Sequence, residues 1–105
     1  MSERLASLEE LILLAVKALG DDAYGVSVQD ALGRAGQSTA LGAVYATLDR
    51  LERKGYVKAA LGPATAVRGG RRKRLFRPTR GGLAALADSM RVRAHLLVAA
   101  GIQSS

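Results

Sequence analysis

A mostly helical α+β fold is predicted by three features of this 105-residue chain. Apolar residues recur at helical spacing in four segments, two short β-prone runs lie between the third and the fourth, and a stretch containing proline and glycines separates those two runs. With 49% of its residues apolar, the chain can bury one core but is too short for two.

The elements follow in order. Ser7-Leu8-Glu9-Glu10 reads as a capping box, with Ser7 accepting from the amide of Glu10, so a first helix is expected to start there. It runs through the apolar stretch 11–16 to Leu19 and stops at Gly20, followed by the turn-prone pair Asp21-Asp22. Because its middle is apolar all round, it needs cover on more than one side. Tyr24, Val28, Ala31, Leu32 and Ala35 predict a short second helix before Gly36. Ser38 or Thr39 is expected to cap a third, over about 39–54, in which Leu41, Val44, Leu48 and Leu51 share a face and Gly55 closes the end.

Residues 56–61 then read as a strand weakened by its alanines, and 72–77 as a second one ended by Pro78. The connection 62–71 is too long for a tight hairpin and carries Pro63 and three glycines, so an extended, mobile tip is expected. Thr79 caps a last helix with Leu83, Leu86, Ala87, Met90, Ala94 and Leu97 on one stripe, ending near Gly101. Val92, Leu96 and Ala99 add a second strip beside it, more than one small core can cover.

Charge is unevenly placed. The chain holds 16 basic and 9 acidic residues, a net of +7, and residues 68–80 contain Arg68, Arg71, Arg72, Lys73, Arg74, Arg77 and Arg80 with no acidic residue. The remainder is formally neutral, so the whole excess lies in one segment, a local footprint for a polyanion. Lipid attachment is the weaker reading of that footprint, because the charges straddle a Gly-rich turn instead of lining an amphipathic helix.

Three helices followed by a basic two-stranded hairpin form the winged helix-turn-helix layout, in which the third helix enters the major groove and the hairpin reaches across phosphates. At 100° per residue, Gly42, Ala43, Ala46, Arg50 and Arg53 oppose the apolar stripe of that helix, with Tyr45, Thr47 and Asp49 on its flanks. Small side chains there let the backbone approach base edges, while Tyr45 and Arg50 reach phosphate from either side. Candidate DNA contacts are therefore Ser38, Thr39, Gly42, Ala43, Tyr45, Ala46, Thr47 and Arg50 from the helix, with Arg68, Arg71, Arg72, Lys73 and Arg74 from the wing at about 62–74. Strand alternation sends Arg72, Arg74 and Phe76 to one face and Lys73, Leu75 and Arg77 to the other, so the four cations nearest the tip are favoured.

Several classes are disfavoured. Without cysteine there are no disulfides or thiolate metal sites, and the one histidine, His95, has no ligand or triad partner at a suitable spacing. An enzyme is not expected, nor any cofactor or metal. Asp21-Asp22 reads as a turn, Gly69-Gly70 lacks the rest of a phosphate-loop pattern, and Tyr24 reads as core at the start of the second helix. No signal segment and no run of about 18 apolar residues is found, which predicts a soluble, cytoplasmic protein with no membrane partner.

The ordered strings Ala23-Tyr24-Gly25-Val26-Ser27, residues 41–57 from Leu41 to Val57, Gly69-Gly70-Arg71-Arg72-Lys73 and 79–82 closely resemble the PadR family of transcriptional regulators. The resemblance spans roughly the first 85 residues. It implies a winged helix with a C-terminal dimerisation helix, repression of nearby genes, and a recognition-helix tyrosine at Tyr45. Some members release DNA when a small aromatic or cationic molecule binds near the dimer interface, so it also admits a small-molecule effector of unspecified identity.

A homodimer is expected independently, because one recognition helix offers few base contacts and two can read a palindrome. Its interface is placed on Leu11, Leu14, Leu86, Met90, Val92, Leu96 and Leu97, with 1–78 as the DNA-binding domain and 79–101 as a dimerisation helix packed on it. The leading expectation is a sequence-specific, double-stranded-DNA-binding repressor. An RNA-binding winged helix is disfavoured by three tyrosines and one phenylalanine, and a module that docks its basic tip on an acidic protein is the remaining alternative.

Overall fold

The computed structural model describes residues 5–62 and 73–102. Helix α1 spans Ser7–Leu19, a 3-10 turn Gly20–Asp22, α2 Gly25–Arg34, α3 Leu41–Arg53, strand β1 Val57–Leu61, β2 Arg74–Pro78 and α4 Arg80–Ala99. The predicted tip of the hairpin lies outside the described residues.

Two predicted caps shift. The N-cap of α1 is Ala6, not Ser7, and Glu9 reaches back to accept from the Ala6 amide at 2.8 Å. Only the carboxylate half of a capping box is therefore made, because alanine has no side-chain acceptor. Ala40 precedes α3 without a side-chain cap, while Thr39 donates its hydroxyl to the Gln37 carbonyl at 3.3 Å. The glycine stops hold: Gly20, Gly36, Gly55 and Gly101 all have positive φ, the backbone region where a Cβ is costly.

The apolar stripes of α1, α2 and α3 converge. Ile12, Leu13, Val16, Val28, Leu32, Val44, Leu48 and Leu51 form the centre, closed below by Tyr56, Val57, Phe76 and Leu86. The strands pair antiparallel, with Val57 opposite Pro78, Ala59 opposite Phe76 and Leu61 opposite Arg74. Phe76, fully buried, is the residue that roots the hairpin. Its amide also donates to the Ala23 carbonyl at 2.8 Å, so the segment before α2 runs along the second edge of β2.

The start of α4 is fixed on the turn between α3 and β1. The Thr79 hydroxyl accepts from the Gly82 amide at 3.0 Å and donates to the Gly55 carbonyl at 2.6 Å, as a helix-capping threonine should. A Cβ on Gly82 would lie 2.1 Å from the Tyr56 carbonyl oxygen, so this approach requires glycine. Leu86 is buried in the chain's own core and Met90 packs against it, which corrects the placement of Leu86 on a dimer interface. From Arg91 to Ile102 no residue is buried, and Leu96, Val98 and Ile102 are 60%, 80% and 58% exposed.

Two buried carboxylates of α1 tie the layers together. Glu9 accepts from Lys54, just past the end of α3, at 2.8 Å, and Glu10 accepts from Ser89 and, at 2.9 Å, from Arg93 on α4. A charge taken out of water needs such partners, and both carboxylates have them.

Candidate nucleic-acid interface

Helix α3 turns Val44, Thr47, Leu48 and Leu51 inward. Gly42, Ala43, Tyr45, Ala46, Asp49, Arg50 and Arg53 are left exposed on the opposite side. Thr47, expected on the DNA-facing flank, is fully buried, and its hydroxyl oxygen accepts from the Arg50 guanidinium at 3.0 Å. It is removed from the contact set, because a side chain without exposed surface cannot meet a base edge. Its position falls within the apolar stripe, and a threonine can occupy such a place once its hydroxyl is bonded.

The first half of α3 presents almost no side-chain bulk. A Cβ on Gly42 would meet nothing within 4 Å, so that turn is open to an approaching surface. Tyr45 lies to one side, 37% exposed, with its ring laid over the first turn of α2. A Cβ on Gly25 would come within 2.3 Å of the Tyr45 Cζ and 2.5 Å of its hydroxyl, so the absent side chain of Gly25 makes the seat for that ring. Sequence reasoning missed this pairing, since Gly25 and Tyr45 belong to different helices.

Arg50 lies on the other side, 48% exposed. Its Nε is 3.9 Å from Glu9 Oε2, and the bond to Thr47 holds its other end. Burial drives the Glu9 carboxyl up, but the Ala6 amide, the Lys54 ammonium and the Arg50 charge together outweigh burial and hold it below the usual glutamate value. Glu9 is therefore an anion at neutral pH, with two cations gathered round it at the end of α3.

Ser38 is exposed and Thr39 half-buried ahead of α3, where the Thr39 carbonyl accepts from the Gln29 side chain at 3.0 Å. These two residues, Tyr24, Val26 and Lys73 are among those lining an open groove of ≈ 890 Å³ that runs from α2 to the root of the hairpin. The Lys73 ammonium stands 5.9 Å from the centre of the Tyr24 ring, a cation–π distance, so Tyr24 is a half-buried platform for the wing as well as a packing residue.

Arg68, Arg71 and Arg72 lie outside the described residues. Arg74 and Arg77 prove to be engaged with protein carboxylates. Arg77 pairs with Asp21 at 2.6 Å, and Arg74 bonds Glu52 at 2.9 Å with Asp49 at 3.5 Å, its guanidinium 5.0 Å from the centre of the Phe76 ring. Arg74 and Phe76 share a strand face as alternation requires, but that face turns toward α3.

Among the described residues no group of His, Asp or Glu is arranged to hold a metal ion, and no helix is long and apolar enough to cross a membrane.

Comparison with known proteins agrees with this geometry. Solved structures with the same fold include a PadR-like transcription factor from Bacteroides fragilis, 19% identical, TM-score 0.75, matching 90% of this chain and 86% of that one. A PadR-like regulator from Bacillus cereus is 20% identical with a TM-score of 0.72, over 90% and 87% of the two chains. A PadR family regulator from Eggerthella lenta is 23% identical with a TM-score of 0.69, over 90% and 82%. No curated protein matches the chain. The transcriptional regulator PadR-like family matches residues 12–88, most of the chain and all of the helix-turn-helix and hairpin. Members of that family regulate transcription by binding DNA and are not enzymes. This chain therefore belongs to the PadR-like family of transcriptional regulators.

Proposed function

We propose that the chain works as a homodimeric, sequence-specific repressor that binds a palindromic operator, with α3 in the major groove and the basic hairpin on the phosphate backbone or in the minor groove. The observation that carries this reading is the open, small-residue face of α3, flanked by Tyr45 and Arg50, beside the root of the arginine-rich segment. Gly42, Ala43 and Ala46 let the helix backbone come close to base edges. Ser38, Thr39, Tyr45 and Arg50 supply contacts around them, and Arg68, Arg71, Arg72 and Lys73 supply charge for the phosphates.

Dimerisation is supported by the outer half of α4. Val92, Leu96, Val98 and Ile102 are exposed there, with Leu11 and Leu14 of α1 also at the surface, large apolar side chains that a partner protomer would cover. With 1–78 binding DNA and 79–101 joining the protomers, each chain delivers one recognition helix. A cytoplasmic location goes with a role on chromosomal DNA. A small-molecule effector, for a chain that responds to one, would enter beside α4, where Val92, Arg93, Leu96 and Leu97 line an open groove of ≈ 390 Å³.

Selection of bound sequences from random duplex DNA tests the reading. The expected product is an inverted repeat with half-sites about 10 base pairs apart, or a multiple of that. Placed over a promoter, this operator should lower transcription. Enrichment of an asymmetric single site would remove the dimer, and preference for RNA in competition would favour the RNA-binding alternative.

A further inference from the structure

On the exposed side of α3 stands a carboxylate, Asp49, 51% exposed, and one turn on is Glu52, 40% exposed. Two anions on a surface that must approach a phosphate backbone repel it, so they are unfavourable there unless a cation offsets them. Both are met by one side chain from another element. Arg74, in the first position of β2, reaches Glu52 at 2.9 Å and Asp49 at 3.5 Å, and its guanidinium lies over the Phe76 ring. Phe76 is fully buried, so the platform beneath Arg74 is part of the core.

We infer that Arg74 is a positioning residue, which offsets part of the negative charge of Asp49 and Glu52 and clasps the root of the wing to the recognition helix, and is not a phosphate ligand. This inference rests on the DNA-binding reading above and deepens it. The planar guanidinium fork suits the task, since it can address two carboxylates while stacked on a ring; an ammonium is a point charge without that geometry. Arg74 is thus placed on the side of β2 that faces α3.

A mutant cycle on mixed-sequence duplex DNA, read by fluorescence anisotropy at one fixed salt concentration, separates the two roles. R74Q should weaken binding about three- to tenfold in the otherwise unaltered chain, because it uncovers both anions. In the D49N/E52Q background the same change should cost less than about twofold, since there is nothing left to uncover. A phosphate ligand would lose the same factor in both backgrounds, and that result would overturn the inference. D49N/E52Q with Arg74 intact gives a second reading that does not depend on how R74Q folds. A gain below about tenfold, from removal of two negative charges, supports the clasp, and a gain of tenfold or more means that the carboxylates withhold Arg74 from phosphate, which overturns it. An unaltered chain that binds no duplex at all overturns the DNA-binding reading and this role with it, an outcome distinct from equal losses in the two backgrounds.

Discussion

Glu9 joins three parts of the molecule with one carboxylate: the amide that opens α1, the lysine that follows α3, and the arginine on the flank of the recognition helix. Because its native pKa lies below the usual value, its contribution to stability is complete above the ordinary glutamate range and is lost as pH falls through the lowered native pKa. The expected result is a melting temperature that drops on acidification, with a shallower drop in Glu9→Gln. At neutral pH that variant should be less stable by about 1 to 3 kcal/mol, the cost of weakening a buried charged hydrogen bond. The gap should close in acid, where Glu9 itself is protonated; a gap that stays constant with pH would show that the carboxylate's charge is not what stabilises. Sequence reasoning saw Glu9 only as a residue inside a capping-box pattern, because its cationic partners lie 41 and 45 positions away in the chain. The same blindness applies to Thr47 and to Gly25: helical phase put Thr47 on a flank, and only packing against other elements decides whether a flank is wet or dry.

At the scale of elements the sequence was far more legible, and the reason is periodicity. Four helices, two strands and their order follow from apolar spacing and glycine stops, which are local signals. Caps were misplaced by one or two residues, since Ser7, Ser38 and Thr39 each offered a plausible acceptor that the chain does not use. Helix α4 shows the limit of a stripe read from sequence alone. The strip of Leu83, Leu86, Ala87 and Met90 serves the chain's own core through Leu86 and Met90 alone, with Leu83 and Ala87 exposed, and from Arg91 to Ile102 nothing is buried. The dimer proposal therefore belongs to the outer half. Leu96, 60% exposed, is the sharpest test. Leu96→Glu should leave the protomer's melting behaviour nearly unchanged, because the side chain packs little within its own chain. By two-fold symmetry the change enters the interface twice, and at about 1.5 kcal/mol or more for each leucine it should weaken dimerisation by on the order of a hundredfold. Sedimentation equilibrium across a dilution series reads this directly, and a dimer constant that does not move would place the interface elsewhere.

For the whole molecule, the net charge of +7 is an incomplete guide to how strongly DNA is held, because the basic residues are not equivalent. Arg74 and Arg77 are paired with Asp49, Glu52 and Asp21, so part of the positive footprint seen in the sequence is spent inside the fold. Arg68, Arg71, Arg72, Lys73 and Arg50 from each protomer remain as candidates for phosphate, about ten contacts for a dimer at most. Each neutralised phosphate releases counterions, so log affinity against log salt should fall with a slope of about −5 to −9 for roughly six to ten contacts. The triple variant Arg71→Ala, Arg72→Ala, Lys73→Ala removes about six of them and should flatten the slope by roughly 5 on every duplex, whatever its sequence. Tyr45→Ala, by contrast, should change which sequences are preferred while leaving most of the salt dependence in place, because it alters the face that meets the groove and removes no charge. Titrations of the three proteins over a range of salt concentrations put these two kinds of contact on separate axes. A slope near zero for the unaltered chain, or one that survives loss of the three wing cations, would mean that the wing does not track the backbone and that α3 binds duplex without it.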